Sequence, residues 1–162
     1  MPSISDIGLV LFIGIAATAI MDAWQFILCR LGVSATNWRL VGRWVGQMRN
    51  GRFMHASIAQ AAPVRGEHAL GWLIHYAVGV AYALALVALV GAGWARQPTM
   101  VPALLFGLAT VVVPLLIMQP AMGSGIAGWN TPSPLRTAVR SVANHAAFGV
   151  GLYVAAAGIA SL

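Results

Sequence analysis

Four apolar stretches, about Ile7 to Leu28, Leu70 to Val90, Val101 to Met118 and Ala138 to Ala160, limit what this chain can fold into. Each comes near the roughly 20 residues that a helix needs to cross about 30 Å of hydrocarbon. The first is too long for a signal peptide and lacks the basic start and small-residue cleavage site of one, so it is expected to stay in the mature protein. Composition points the same way. Hydrophobic residues make up 60% of the chain and charged residues 7%, whereas a soluble domain carries about a quarter charged residues. The expected fold is therefore all-α: an integral membrane four-helix bundle, forming one membrane domain, with a cytoplasmic amphipathic helical insertion at about 31–67 between spans one and two.

The charges set the expected orientation. All nine basic residues are arginines, and six of them, Arg30, Arg39, Arg43, Arg49, Arg52 and Arg65, lie between the first two spans. Arg136 and Arg140 open the fourth span, while Arg96 alone sits in the turn between spans two and three. The positive-inside rule then places the first and third connections in the cytoplasm and both termini outside. The net charge of +6 is expected to face anionic headgroups, which makes membrane lipids the partner and nucleic acid not one. Cys29 is the single cysteine, which excludes an internal disulfide and thiolate metal clusters.

Within the insertion, Ser34 to Asn37 offer capping residues. Trp38, Val41, Trp44, Val45 and Met48 then recur at helical spacing opposite Arg39, Arg43 and Arg49. That pattern predicts an amphipathic helix on the inner membrane surface. A turn at Asn50 and Gly51 follows, and Phe53 to Ala62 is expected to form a second short helix ended by Pro63. In the spans, small and polar residues recur every four positions: Gly14, Thr18 and Asp22; Gly71, His75 and Gly79; Ser141, His145 and Gly149. Small residues let helices approach closely in lipid, so these faces should turn inward. Pro114 and Pro120 predict a kinked third span that runs into the glycine-rich stretch from Gly123 to Gly128.

Those inward faces carry the candidate chemistry. With a rise of about 1.5 Å per residue, Asp22, His75 and His145 all fall roughly 10 Å inside the cytoplasmic boundary. Gln25, Tyr76, Gln119 and Asn144 lie at similar levels. An ionisable group at such a depth costs roughly 2.5 to 3.5 kcal/mol on insertion scales, so such groups should be paired or functional. In a packing reading, Asp22 pairs with His75, and His145 bonds a backbone carbonyl or Gln119. In a metal reading, Asp22, His75 and His145 ligate a divalent ion such as zinc or iron, with His55, Glu67 or His68 closing over it from the cytoplasmic segment; an open position would allow hydrolytic or oxidative chemistry on a small-molecule or lipid substrate. The spacing matches no defined metal motif. Haem held by His75 and His145 is a weaker reading, because no matching outer pair exists. A transport reading makes the layer a proton or cation relay gated at Pro114 and Pro120, and four helices would then require a homo-oligomer. No catalytic residue is assigned.

Other residues have plainer explanations. Trp24, Trp72, Trp94 and Trp129 fall near the expected boundaries, where aromatic belts form. Arg136 and Arg140 are expected to snorkel to the inner surface, with a phosphate or headgroup clamp as the alternative.

Several segments also resemble a known family. M-D-A-W in span one, N-W-R-L-V-G-R-W, G-R-F-M-H-A-S-I-A, G-E-H-A-L-G-W-L-I-H-Y, Q-P-A-M-G-S-G-I-A and N-H-A-A-F-G-V-G-L-Y resemble domain-of-unknown-function family twenty-nine thirty-eight, a bacterial inner-membrane family. The resemblance covers nearly the whole chain. It implies a bacterial four-helix membrane protein and supplies no activity. Asp22, His55, Glu67, His75 and His145 all fall inside the familiar segments.

Overall fold

The computed structural model describes residues 4–161, and among them it is all-helical with no strand. Five longer helices follow one another: α1 (Ile4–Arg30), α2 (Trp38–Met48), α3 (Glu67–Val90), α4 (Met100–Thr110) and α5 (Pro134–Ala160). Beyond Thr110 the chain continues through a π-helical turn, Pro114–Met118, and a last helical turn, Gln119–Ala121. Four segments are long and apolar enough to cross a membrane: Ile7–Arg30, Glu67–Val90, Met100–Ala121 and Pro134–Ala160. They coincide with the four apolar stretches of the sequence. The π turn begins at Pro114, which lacks the N–H that would bond back one turn, and it closes where the Gln119 N–H bonds to the Pro114 carbonyl five residues back.

The chain divides into two units. The first takes the residues up to Ala35, Tyr76–Thr110 and those from Asn144 onward. Its interior is apolar, built from Val10, Ile13, Ala17, Leu86, Phe148 and Leu152 with their neighbours. Helices meet there where a side chain is missing. A Cβ on Gly14 would lie 2.7 Å from the Val80 Cα, one on Gly107 2.6 Å from the Gly149 Cα, and one on Gly151 2.9 Å from the Ala17 carbonyl. Backbones this close forgo side-chain volume and gain dispersion contact, the same economy that small residues serve in lipid. Trp94, in the connection between the second and third apolar segments, is buried in this interior, with its indole N–H donating to the Thr99 carbonyl at 3.2 Å. The short 3-10 turn Ala92–Ala95 folds it inward.

The second unit takes Thr36–His75 and Val111–Ala143. Asn37 caps α2 without a side-chain cap bond. The buried face of α2 is Val41, Gly42, Arg43, Gly46 and Gln47, which shares only Val41 with the tryptophan-rich face that periodicity selects. The second short helix expected over Phe53 to Ala62 reduces to one 3-10 turn, Ile58–Gln60. The rest of that segment is irregular, and two of its amides bond outside it: His55 N donates to the Ala121 carbonyl at 2.9 Å and Ile58 N to the Met122 carbonyl at 3.0 Å. Gly123 faces this segment at positive φ, and a Cβ there would strike the Ala56 carbonyl.

Candidate functional site

Glu67 is the only acidic residue of the second unit, and it stands at the start of α3 with 4% of its surface exposed. Two glycines bring α2 onto it. A Cβ at Gly42 would overlap the Glu67 carbonyl, and one at Gly71 would overlap the Trp38 carbonyl, so the two helix backbones touch. That approach delivers Arg43 to the carboxylate in a two-pronged bond: Nε donates to Oε2 and Nη2 to Oε1, both at 2.9 Å. Arg39 donates to Oε1 from the rim, and the Val64 amide donates to Oε2 at 2.9 Å.

The remaining prong of Arg43 organises the connection. Nη1 donates to the carbonyls of Ala59 and Ala61 at 3.1 Å each and reaches that of Ile58 at 3.5 Å. Gln47 donates to the Ala62 carbonyl at 2.7 Å, and Trp44 to that of Phe53 at 2.9 Å. The hydrogen bond to Glu67 pushes the Arg43 guanidinium above its ordinary pKa, against the opposing effect of burial, so it stays charged. A buried charge is tolerated when paired and fully hydrogen-bonded, and this pair meets that condition. Periodicity had set Arg43 on a solvated face. The signal for its true role was a single glutamate in a segment holding six arginines.

Two polar clusters lie elsewhere in the second unit. His75 is buried, with 6% exposed, and stacks on Trp38 with ring centroids 3.8 Å apart and 21° between planes. Trp72 meets the same histidine edge-on and donates to the His68 Nε2 at 3.3 Å. Further along, Gln119 donates to the Ser141 hydroxyl at 3.0 Å, which donates to the Thr137 carbonyl at 3.1 Å. The other end of that amide, Oε1, and the Nε2 of His55 are buried without a hydrogen-bond partner.

In the first unit Asp22 accepts from the Tyr76 hydroxyl at 2.9 Å. The Thr110 hydroxyl donates to the Gly107 carbonyl at 2.6 Å and lies 2.8 Å from the His145 Nδ1. Changing Tyr76 to Phe removes the donor while keeping the ring. Tyr76→Phe is expected to cost about 1.5–3 kcal/mol, the range for a hydrogen bond to a charged group, read by denaturation in detergent. A loss below a few tenths of a kcal/mol would show that the phenol does not support Asp22.

The residues expected to ligate metal are divided between the two units. Asp22 and His145 belong to the first unit; His55, Glu67 and His75 belong to the second. Among the described residues no group of three or more His, Cys, Asp or Glu side chains stands ready to hold a metal ion. Glu67 is already engaged by two guanidinium groups and an amide. His75 has an aromatic face against it.

Helices of this length and apolarity, joined by an arginine-rich connection, define a class: an all-helical protein with four segments able to span a bilayer. The chain belongs to the family described as "Protein of unknown function (DUF2938)", whose model matches residues 11–159. Comparison with curated proteins and with solved structures finds no match.

Proposed function

We propose that this chain is a multi-pass protein of the bacterial inner membrane, with both termini outside and residues 31–67 in the cytoplasm. On this reading it is an assembly protein whose polar side chains hold helices and connections in register. The observation that carries it is the Arg43–Glu67 clamp, in which each prong of the guanidinium and each carboxylate oxygen has a partner on a neighbouring element. A site arranged for turnover keeps an open position for substrate, whereas this arrangement is closed upon itself. Asp22–Tyr76 and Thr110–His145 repeat the pattern, each joining residues from two different helices. The arginine asymmetry supports the orientation.

Two measurements test it. Purified protein is expected to contain neither zinc nor iron at stoichiometric level and to show no Soret band. One metal ion per chain, lost on His145→Ala or His75→Ala, would replace the assembly reading with the metal one. Reporter fusions at both ends are expected to report outside and a fusion after Gly51 inside, and a cytoplasmic terminus would overturn the orientation.

A further inference from the structure

The two units differ sharply in charge. Seven of the nine arginines, at positions 39, 43, 49, 52, 65, 136 and 140, belong to the second unit, together with one acid, Glu67. It therefore holds the whole formal charge of +6. By sequence the first unit contains two arginines, Arg30 and Arg96, and two acids, Asp6 and Asp22, and is formally neutral. Since Glu67 is taken by Arg43 and Arg39, the second unit has no further carboxylate to offer its other cations. Arg49, Arg52, Arg65 and Arg136 are all exposed. A water-facing surface normally intersperses both signs.

The same unit exposes large apolar side chains outside the four spans. Phe53 and Met54, directly after Arg52, are 57% and 68% exposed, while Ile126 and Trp129 are 61% and 78% exposed. Their two segments are tied to a common support. The His55 and Ile58 amides bond the carbonyls of Ala121 and Met122, at the start of the loop that carries Ile126 and Trp129. Arg65 stands just before the span Glu67–Val90, and Arg136 lies in the first turn of the span Pro134–Ala160. Cations at span ends sit at headgroup depth, where phosphates are the abundant anions. Apolar side chains beside them enter the acyl boundary, as the apolar side of an interfacial segment does. Nucleic acid accounts for the arginines and leaves the exposed aliphatic and aromatic groups without a role.

We infer that the second unit is a binding surface for anionic phospholipid, in which Arg49, Arg52, Arg65 and Arg136 hold phosphate headgroups while Phe53, Met54, Ile126 and Trp129 enter the adjoining acyl region. Guanidinium suits this role because its planar fork matches two phosphate oxygens. The inference rests on the membrane reading above, and it adds a lipid class that the reading alone does not specify.

The test uses the full chain in a neutral detergent, titrated with phosphatidylglycerol or phosphatidylcholine, with the thermal midpoint and retained lipids in native mass spectrometry as readouts. Phosphatidylglycerol is expected to bind at least tenfold more tightly, with the preference shrinking as salt rises. Each arginine replaced by glutamine should weaken it about fivefold, and Phe53→Ser with Trp129→Ser should weaken both lipids alike. Arg96→Gln, in the neutral unit, should leave the preference intact. The four arginines are exposed, so their combined replacement is expected to fold, and the single variants stand as an independent reading. Equal binding of the two lipids, an unchanged preference in the combined variant, or displacement of phosphatidylglycerol by an oligonucleotide at equal charge would overturn the inference. Failure of the membrane reading itself shows separately, as release of the protein from membranes by alkaline carbonate.

Discussion

Glu67→Ala is expected to lower the stability of the solubilised protein by about 3 to 5 kcal/mol, the cost of leaving a buried charge without its partner. The carboxylate receives three guanidinium N–H bonds and one amide N–H. Its removal strands Arg43, which is only 7% exposed, and the Val64 amide. Arg39→Ala should cost under about 1 kcal/mol, since an exposed ion pair is worth little and its side chain is 59% exposed. Glu67→Gln should fall between the two, because the amide keeps the shape and turns a donor toward a guanidinium. Arg43→Met combined with Glu67→Leu should recover only part of the loss: the carbonyls that Arg43 now satisfies would remain unpaired. Equilibrium unfolding in one detergent compares all four. Equal losses from Glu67→Ala and Arg39→Ala would show that the buried clamp does not hold the unit together.

Alanine at Gly42 or Gly71 is expected to be nearly as damaging, at about 3 kcal/mol, the upper end of the range for overpacking. Each new methyl would overlap a backbone carbonyl of the opposing helix, and a backbone cannot rotate away as a side chain can. The helices would have to separate, and Arg43 would lose its approach to Glu67. Gly46→Ala should be milder, because its nearest neighbour is the Val64 side chain, with a methyl at 2.8 Å that can shift. Gly8→Ala is the control. No atom lies within 4 Å of its added methyl, and alanine is the better helix former by up to about 1 kcal/mol. Losses of the same size at Gly8 and Gly71 would mean that close helix approach is not what these glycines provide.

Much of the candidate site was legible in part. Gly14, Gly71, Gly79 and Gly149, picked out by spacing of four along a helix, are positions where an added Cβ would meet another helix. Depth arithmetic brought Asp22 and Tyr76 to similar levels, and they share a hydrogen bond. It could not say which neighbour takes which bond, because rise along a helix fixes height and leaves rotation open. The tryptophan-rich face of α2 was legible as apolar, yet Gly42, Gly46 and Arg43 form the buried side. A backbone contact at glycine outweighs side-chain hydrophobicity there, and periodicity counts only side chains.

What the sequence determined by itself was the number and approximate extent of the helices able to span a membrane, because a run of twenty or so apolar residues is a local property that residue order alone sets. It also determined the charge asymmetry, which is a property of residue order. Tertiary structure alone decided the partners of the polar groups. Glu67 could have joined histidines at a metal or arginines in a clamp, since a carboxylate serves either. The contact of Gly42 and Gly71 with the opposing backbones brings a guanidinium within 2.9 Å of both its oxygens, and at that distance a two-pronged charged bond fixes the choice.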